Sequence, residues 1–416
     1  MAARAVALAR FDTDAAAGNC GSLISGAGTT ERCARPGKAT VLAIGRAVPG
    51  VVVKQEGMAE RYLRDVHRDD DPILLAKLQR LCTNTTVKTR YTVLTEKMLK
   101  ENPGFLIEGA STVKQRLEIS ADAVTKLGVE AAKKAMEEWG RPAGDITHLV
   151  YVSSSEVRLP GGDLHIAINL GLRNDVNRVM LYMLGCCGGA AGIRVAKDLA
   201  ENNPGSRVLL TTSETCLIGY RAPHPDRPYD LVGAALFGDG AAAMIIGADP
   251  IPVVETPFFE FHWAGQSFIP QTERTIEGTL TEEGIIFTLG RELPKLIEHN
   301  IDEFARGLLK KIGLDLKYED LFWAVHPGGP AILNAVEKQL NLPRDKLLCS
   351  RQVLSDYGNI NSNTIIYVLD YMRKASLQKR KDLQCGLSTD EDPEWGFMLA
   401  FGPGVTIEGM VARNLV

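Results

Sequence analysis

From about residue 38 onward, two patterns of apolar and polar positions alternate along the chain. Short continuous apolar runs are typical of buried strands, and apolar positions recurring every three or four residues are typical of amphipathic helices. The predicted strands of the first half are 40–44, 147–152, 179–184 and 207–212, and its predicted helices are 73–81, 111–139, 164–172 and 190–202. This alternation predicts an α/β fold with a mostly parallel, buried sheet.

The second half repeats the pattern. Its predicted helices are 291–312, 330–340 and 362–374, and its predicted strands are 322–325 and 395–401. The similar stretches FGDGA (237–241) and FGPGV (401–405) each lie near the end of a half, which favours a duplication. The match is short, and chance is the alternative explanation. Between the halves, β-type patches in 257–289 predict hairpins over a site.

Composition narrows the class of protein. The chain has 416 residues, 45% hydrophobic and 24% charged, and a net charge of −4, which gives no broad positive field for nucleic acid or anionic lipid. No apolar run reaches the length of a membrane span. The eight cysteines form no CxxC pair and no Cys/His cluster, which favours free thiols in a reducing compartment, and we expect a cytoplasmic protein.

Three segments are expected. Residues 1–37, rich in Ala, Gly, Ser and Thr, form a disordered extension, for which organelle targeting is the alternative. Residues 38–250 form the first half, and residues 251–416 form the second half.

The stretch LGCCGGAA (184–191) joins a predicted strand to a predicted helix through glycines. A cysteine at a helix N-terminus meets free N–H groups and the positive end of the helix dipole, which we expect to lower its pKa. Cys186 lies at the turn itself and is the favoured nucleophile. The alternative is that both cysteines fill the core, and we assign no role to Cys187.

Two further junctions carry polar side chains. His326 ends an apolar run and precedes PGGP (327–330), where α/β sheets place ligands. Asn359 lies just before a predicted helix and could also be a cap residue. A Cys-His-Asn trio suits decarboxylative condensation of thioesters, in which the His and Asn stabilise an enolate. A cysteine protease uses the same residue types, and the sequence does not separate the two.

A basic helix face is the candidate site for coenzyme A. Lys77 and Arg80 lie three residues apart, with Lys88 and Arg90 beyond, and could bind phosphates. A solvated basic face is the alternative. The chain has no Walker loop, no GxGxxG and no HExxH, so we expect no metal and no redox or nucleotide cofactor.

Three stretches, WAVHPGGPAIL (323–333), ALFGDGAA (235–242) and FGPG (401–404), resemble the signatures of plant type III polyketide synthases, the chalcone synthase superfamily. The resemblance covers about residues 38–416. It implies a thiolase-like αβαβα layered fold with two similar halves, and a homodimer. It also implies iterative condensation of malonyl-CoA onto an acyl-CoA starter, with no cofactor beyond these coenzyme A thioesters.

The resemblance also implies roles for individual residues. It makes Cys186 the acyl-carrying nucleophile, His326 and Asn359 the decarboxylation pair, Phe237 and Phe287 the gatekeepers, and Lys77 and Arg80 the coenzyme A phosphate ligands. It assigns the substrate pocket to Ser155, Leu159 (from the partner subunit), Glu214, Cys216, Gly219 and Gly278. The third basic residue that the family pattern implies is missing, because Thr83 and Asn84 occupy the positions where it is expected. Lys88 could replace it.

Within the superfamily, VSSSE (152–156), LPGGD (159–163) and AENNPGSR (200–207) look most like the anther-specific, sporopollenin-type branch. That resemblance implies alkyl α-pyrones made from medium- or long-chain, plain or hydroxylated fatty acyl-CoA, and association with the endoplasmic reticulum surface. Gly219 removes bulk from the pocket wall, which agrees with a long chain. The alternatives are a chalcone or stilbene synthase using p-coumaroyl-CoA, an initiating ketoacyl synthase, and a non-catalytic binding partner of the same fold.

Overall fold

A computed structural model of the chain describes residues 32–224, 227–385, 387 and 391–416. The predicted extension therefore lies outside the described residues up to residue 31. The short segment before the first strand contacts both halves of the chain: the backbone N–H of Arg35 donates to Glu260 in the second half, and that of Gly37 donates to Asp249 Oδ1 in the first half at 2.8 Å.

The described residues form thirteen strands and eleven α-helices. The strands are β1 (Ala39–Ala47), β2 (Val51–Lys54), β3 (Thr89–Thr92), β4 (His148–Ser153), β5 (Asn177–Tyr182), β6 (Val208–Glu214), β7 (Gly240–Ala248), β8 (Phe259–Phe268), β9 (Ile276–Thr281), β10 (Gly284–Leu289), β11 (Phe322–Val325), β12 (Trp395–Gly402) and β13 (Thr406–Asn414). The helices are α1 (Met58–Asp65), α2 (Pro72–Asn84), α3 (Glu96–Glu101), α4 (Val113–Trp139), α5 (Gly162–Leu170), α6 (Gly188–Asn202), α7 (Tyr229–Leu236), α8 (Leu293–Lys311), α9 (Pro330–Gln339), α10 (Leu348–Tyr357) and α11 (Thr364–Gln384).

Within the described residues, nine strands form one sheet in the order β11-β12-β13-β8-β1-β7-β6-β4-β5. One pairing pattern occurs twice. β4 and β6 are parallel, β7 is antiparallel to β6, and β1 is antiparallel to β7. The set β11, β12, β13 and β8 pairs in the same way. The fold therefore consists of two similar halves, which meet where Thr40 of β1 pairs with Glu260 of β8.

The predicted mostly parallel sheet is wrong, because the sheet is mixed. A strand buried on both faces reads as an apolar run in either direction, so the pattern carries no information on polarity. The short turn Pro403–Val405 joins β12 to β13, and a connection this short returns the chain antiparallel.

The helices complete five layers. α4 and α5 cover the outer face of the first-half strands, and α8 and α9 cover that of the second-half strands. α6 and α11 lie between the two sets of strands and share one apolar core, which includes Ile193 and Ile365. This αβαβα arrangement confirms the predicted fold class.

A small residue lets the start of α6 approach the loop before α11 closely. A Cβ atom at Gly189, in the first turn of α6, would lie 2.0 Å from the backbone oxygen of Ser362, just before α11. No side chain fits in that space, so the start of α6 packs directly on the loop that carries Asn359. This contact brings residues 173 positions apart into one site.

The prediction of hairpins in 257–289 is confirmed for the end of that segment and wrong for its beginning. β9 and β10 do pair as a separate hairpin. β8 instead belongs to the large sheet, where it pairs with β13 and β1. Its buried first residues, Phe259–His262, fit a strand at the centre of a sheet better than a surface flap.

Candidate active site

A cavity of about 1520 Å³ is lined by residues of both halves. Cys186, His326 and Asn359 all line it, although 173 positions separate the first from the last. The cavity is mainly apolar and reaches from the nucleophile turn to the surface of α2. Such a shape suits a long apolar ligand with a polar end.

Cys186 lies in a 3₁₀ turn, Gly185–Cys187, directly before α6. Gly185 has φ 57, a left-handed conformation that glycine adopts without strain, and this sharp turn presents the sulfur to the cavity. Asn359 Nδ2 donates to the sulfur at 3.4 Å. The sulfur lies 3.3 Å from Asn361 Oδ1, to which the thiol donates.

The expected lowering of the Cys186 pKa is wrong in direction. Burial raises the pKa of this thiol to about 11, and the hydrogen bond from Asn359 only partly offsets that rise. The negative charge of Glu214 adds to the increase. Helix α6 begins at Gly188, two residues after Cys186.

Asn359 is placed by backbone pairing with the segment after α7. Its N–H donates to Leu236 O at 2.9 Å, and its C=O accepts from Gly238 N at 3.0 Å. The backbone N–H of Asn361 donates to Asn359 Oδ1 at 2.9 Å, which turns Nδ2 toward the sulfur. Helix α11 begins only at Thr364, so Asn359 is not its cap.

His326 follows β11, and its N–H donates to Leu399 O at 2.8 Å, which extends the pairing with β12. The side chain is buried, and among the described residues neither ring nitrogen has a hydrogen-bond partner. Burial lowers the pKa of the imidazole to about 3, so the ring is neutral at pH 7. A neutral ring offers one N–H donor and one acceptor nitrogen, and neither is paired within the described residues.

The aromatic pair Phe237 and Phe287 lines the cavity with ring centroids 6.4 Å apart. Phe287 lies opposite Gly278 in the β9–β10 hairpin. A Cβ atom at Gly278 would lie 3.3 Å from the Phe287 ring, and one at Gly219 would lie 3.3 Å from Ile285 and 3.5 Å from Phe287. A side chain at either position would therefore press on Ile285 and Phe287, and glycine avoids that contact.

The structure places only some of the predicted basic residues at the cavity. Lys77 and Arg80 are exposed and line the cavity on the α2 side. Lys88 is not among the lining residues. Arg61 of α1 does line the cavity, and its Nη2 donates to Lys54 O at 2.6 Å. Sequence reasoning missed Arg61 because it considered only one helix face.

Of the predicted pocket residues, Ser155 and Cys216 line the cavity and Glu214 does not. Glu214 is buried at the end of β6 and accepts from Ser155 Oγ at 2.7 Å and from Ser362 Oγ at 2.6 Å. Burial raises the pKa of Glu214 to about 7. Leu159 is 99% exposed and does not line the cavity of its own chain.

Two side chains that hold the site were missed. Asn361 contacts the Cys186 sulfur, and Arg90 is buried and donates to Phe237 O at 2.6 Å. The position of Asn361, two residues after Asn359, was the available signal. Arg90 was noted only as a possible phosphate ligand, whereas it supports the gatekeeper segment.

A cysteine on a glycine-rich turn, in a cavity shared with an imidazole and a carboxamide across two similar αβαβα halves, defines a condensing enzyme of the thiolase fold. Family models agree: the N-terminal domain of chalcone and stilbene synthases matches residues 27–250, and their C-terminal domain matches residues 260–416. The chain belongs to the chalcone and stilbene synthase family.

Curated relatives carry the name type III polyketide synthase. The chain is 58% identical to type III polyketide synthase B of Arabidopsis thaliana over 387 residues, which cover 93% of this chain and 97% of that protein. It is 58% identical to type III polyketide synthase A of the same plant, with 93% and 95% covered. Type III polyketide synthase 10 of Oryza sativa subsp. japonica is 55% identical, with 91% and 93% covered. The chain is thus an acyltransferase that performs decarboxylative Claisen condensation, in a family that uses malonyl-CoA and acyl-CoA.

Two features are absent from the described residues. No group of three or more His, Cys, Asp or Glu side chains in this part of the chain could hold a metal ion. None of the helices in the same residues is long and apolar enough to cross a membrane.

Proposed function

We propose that the enzyme extends a medium- or long-chain fatty acyl-CoA, plain or hydroxylated, with malonyl-CoA and releases tri- or tetraketide α-pyrones of the sporopollenin-precursor type. The observation that carries this proposal is the wall formed by Gly219, Gly278 and Phe287. Neither glycine adds a side chain beside the Phe287 ring, in a mainly apolar cavity of about 1520 Å³. A large apolar cavity with so little side-chain bulk on this wall suits a chain of methylene groups.

The loading step uses His326 as a proton carrier. As the Cys186 sulfur attacks the thioester carbon of the starter, the acceptor nitrogen of His326 takes the thiol proton. The bond from the carbonyl carbon to the coenzyme A sulfur then breaks, and the leaving thiolate receives that proton. The products are acyl-Cys186 and free coenzyme A, and the imidazole is neutral again.

The extension step uses the two polar donors. When malonyl-CoA loses carbon dioxide, its thioester oxygen becomes an enolate, which the N–H of His326 and the Nδ2 of Asn359 stabilise. The enolate carbon attacks the acyl-Cys186 carbonyl, and the Cys186 sulfur leaves. Loss of one such donor typically lowers kcat about 100- to 1000-fold. Lys77, Arg80 and Arg61 bind the coenzyme A phosphates at the mouth of the cavity.

The assembly is part of the same proposal. We propose a homodimer in which Leu159, 99% exposed, reaches the partner's cavity. Val157 and Ile168 are also exposed, at 50% and 67%, and add apolar surface to that region.

We further propose that the two halves of the chain are 38–250 and 251–416 and that catalysis uses no metal or redox cofactor. We also propose a cytoplasmic location, with association to the endoplasmic reticulum surface.

Incubation with radiolabelled malonyl-CoA and a panel of starters tests the proposal. Dodecanoyl-CoA and longer plain or hydroxylated acyl-CoA should give labelled alkyl α-pyrones at higher kcat/KM than p-coumaroyl-CoA. Preferred use of p-coumaroyl-CoA would instead identify a chalcone or stilbene synthase. No labelled product from any starter would point to the non-catalytic partner.

A further inference from the structure

Two buried arginines bond the turn that carries Gly219. The turn is the 3₁₀ segment Leu217–Gly219, and it forms part of the cavity wall assigned above to the acyl chain. Arg116 lies near the start of α4, and Arg221 follows the turn. The hydrogen bonds of both guanidinium groups end on neutral oxygens, so the two side chains act as multiple donors in the interior.

Arg116 holds the turn from the side of α4. Its Nη1 donates to Leu217 O at 2.9 Å and to Tyr220 O at 2.6 Å, and these two carbonyls lie at the two ends of the turn. Its Nη2 donates to Phe105 O at 2.9 Å, and its Nε donates to Thr112 Oγ1 at 2.8 Å. One guanidinium therefore fixes the turn against the start of α4.

Arg221 holds the turn from the side of the β9–β10 hairpin. Its Nη2 donates to Ile285 O at 2.6 Å, and its Nε donates to Gly219 O at 3.4 Å. These carbonyls belong to residues that face each other in the wall, since a Cβ atom at Gly219 would lie 3.3 Å from Ile285. Arg221 also lines the cavity. It therefore sets the distance between the turn and β10.

The hairpin is fixed to the same place. The N–H of Thr112, just before α4, donates to Glu282 O at 2.8 Å. A Cβ atom at Gly284 would lie 2.1 Å from Ile218 O and 3.0 Å from Arg116 Cδ. No side chain fits there, so the hairpin packs directly on the turn and on Arg116.

We infer that Arg116 and Arg221 are positioning residues that set the acyl-chain selectivity of the starter site by fixing the Gly219 turn against β10. The inference deepens the proposed function, since it rests on this wall facing the acyl chain. One methylene group in an apolar pocket changes discrimination about 10- to 200-fold, and a wall that can shift by that size loses this discrimination. A planar guanidinium holds several carbonyls at fixed distances, whereas the ammonium of lysine lies on a flexible stem.

Lysine substitutions test the inference, because they keep the positive charge and remove the planar set of donors. The variants are Arg116→Lys and Arg221→Lys. Arg207→Lys is the matched control: Arg207 is also buried and also donates to backbone oxygens, but it is not among the residues that line the cavity. Each substitution is made in the Cys186→Ala background, in which no starter is transferred to the sulfur.

Isothermal titration calorimetry measures the Kd of hexanoyl-CoA and of dodecanoyl-CoA for each full-length protein. We expect the ratio of the hexanoyl-CoA Kd to the dodecanoyl-CoA Kd to fall about tenfold or more in Arg116→Lys and in Arg221→Lys. The ratio should stay unchanged in Arg207→Lys. Circular dichroism verifies folding, and Arg116→Gln or Arg221→Gln replaces a lysine variant that does not fold.

An unchanged ratio in either arginine variant, or an equal fall in Arg207→Lys, would overturn the inference. A purely structural role would lower the melting temperature of all three variants without changing the ratio. Binding requires no turnover, so the inference and the proposed function can fail separately. A changed ratio without labelled pyrone from the wild type would retain the role of the arginines and remove the proposed function, and pyrone formation with an unchanged ratio would do the reverse.

Discussion

Burial sets the charge states of the reacting side chains. It raises the pKa of the Cys186 thiol and lowers that of the His326 imidazole. The sequence alone predicted both residues as candidates, because a cysteine between glycines and a histidine before PGGP are local signals. It could not give their pKa values, since the desolvation comes from segments far along the chain.

Cys186→Ala should lower condensation about a thousandfold or more, because no sulfur carries the growing chain. Decarboxylation of malonyl-CoA should continue, since His326 and Asn359 remain. The measurement is labelled pyrone against released carbon dioxide. Cys187→Ala is the matched control: Cys187 donates to Leu184 O and packs on Gly402, so its loss should affect stability and leave pyrone formation in place. Pyrone formation by Cys186→Ala at the wild-type rate would remove this residue from the scheme.

Glu214→Gln should change how stability depends on pH. The folded-state pKa of Glu214, about 7, lies above the ordinary value of 4.5, so the folded chain binds this proton more tightly than the unfolded chain. The stabilisation is present below about pH 4.5 and is lost as pH rises through 7, by about 3 kcal/mol in total.

Urea unfolding at about pH 5 and about pH 8 measures this effect. The loss of unfolding free energy between the two values should be smaller in Glu214→Gln than in the wild type. Equal losses in the two proteins would show that Glu214 does not titrate in this range.

At the level of elements, periodicity predicted several helices and strands to within a few residues, whereas α11 extends to Gln384 instead of residue 374, and α7 and α10 were not predicted. Helix α4 was expected at 111–139 and is Val113–Trp139. Strand direction and the place of β8 were not predictable, because β8 pairs with partners on both sides that lie far away in sequence. The β9–β10 hairpin was predictable from its local pattern, although its contact with the Gly219 turn was not.

Gly219→Thr should narrow starter scope, because the added side chain presses on Ile285 and Phe287. We expect kcat/KM for dodecanoyl-CoA relative to hexanoyl-CoA to fall about 10- to 200-fold. Gly307→Ala is the control, since a Cβ atom there meets nothing within 4 Å. An unchanged ratio in Gly219→Thr would refute the assignment of this wall to the acyl chain.

At the scale of the whole molecule, the main feature is the strand-pairing pattern that occurs twice in the nine-stranded sheet. Each half supplies one part of the site: the first half carries Cys186, and the second carries His326 and Asn359. The short match between FGDGA and FGPGV correctly pointed to this duplication, because both stretches adjoin corresponding strands, β7 and β13. The oligomeric state could not be predicted from one chain by its pattern alone. The only mark that an interface makes on a single chain is a group of exposed apolar residues.

Leu159→Asp should weaken the proposed homodimer, because it places a charge in an apolar interface. Light scattering after size exclusion should show a larger monomer fraction at micromolar protein, and the product profile should change. Val253→Asp is the control, as Val253 is also fully exposed but belongs to the connection between β7 and β8. A wild-type dimer fraction in Leu159→Asp would place the interface elsewhere.

Trapping of the acyl-enzyme tests most directly whether the sulfur in the shared cavity carries the chain. The full protein is incubated with dodecanoyl-CoA without malonyl-CoA, digested and mapped by mass spectrometry. We expect the dodecanoyl group on Cys186, none on Cys216, and no adduct in Cys186→Ala. An adduct on Cys216 or another residue, or no covalent adduct at all, would contradict the assignment.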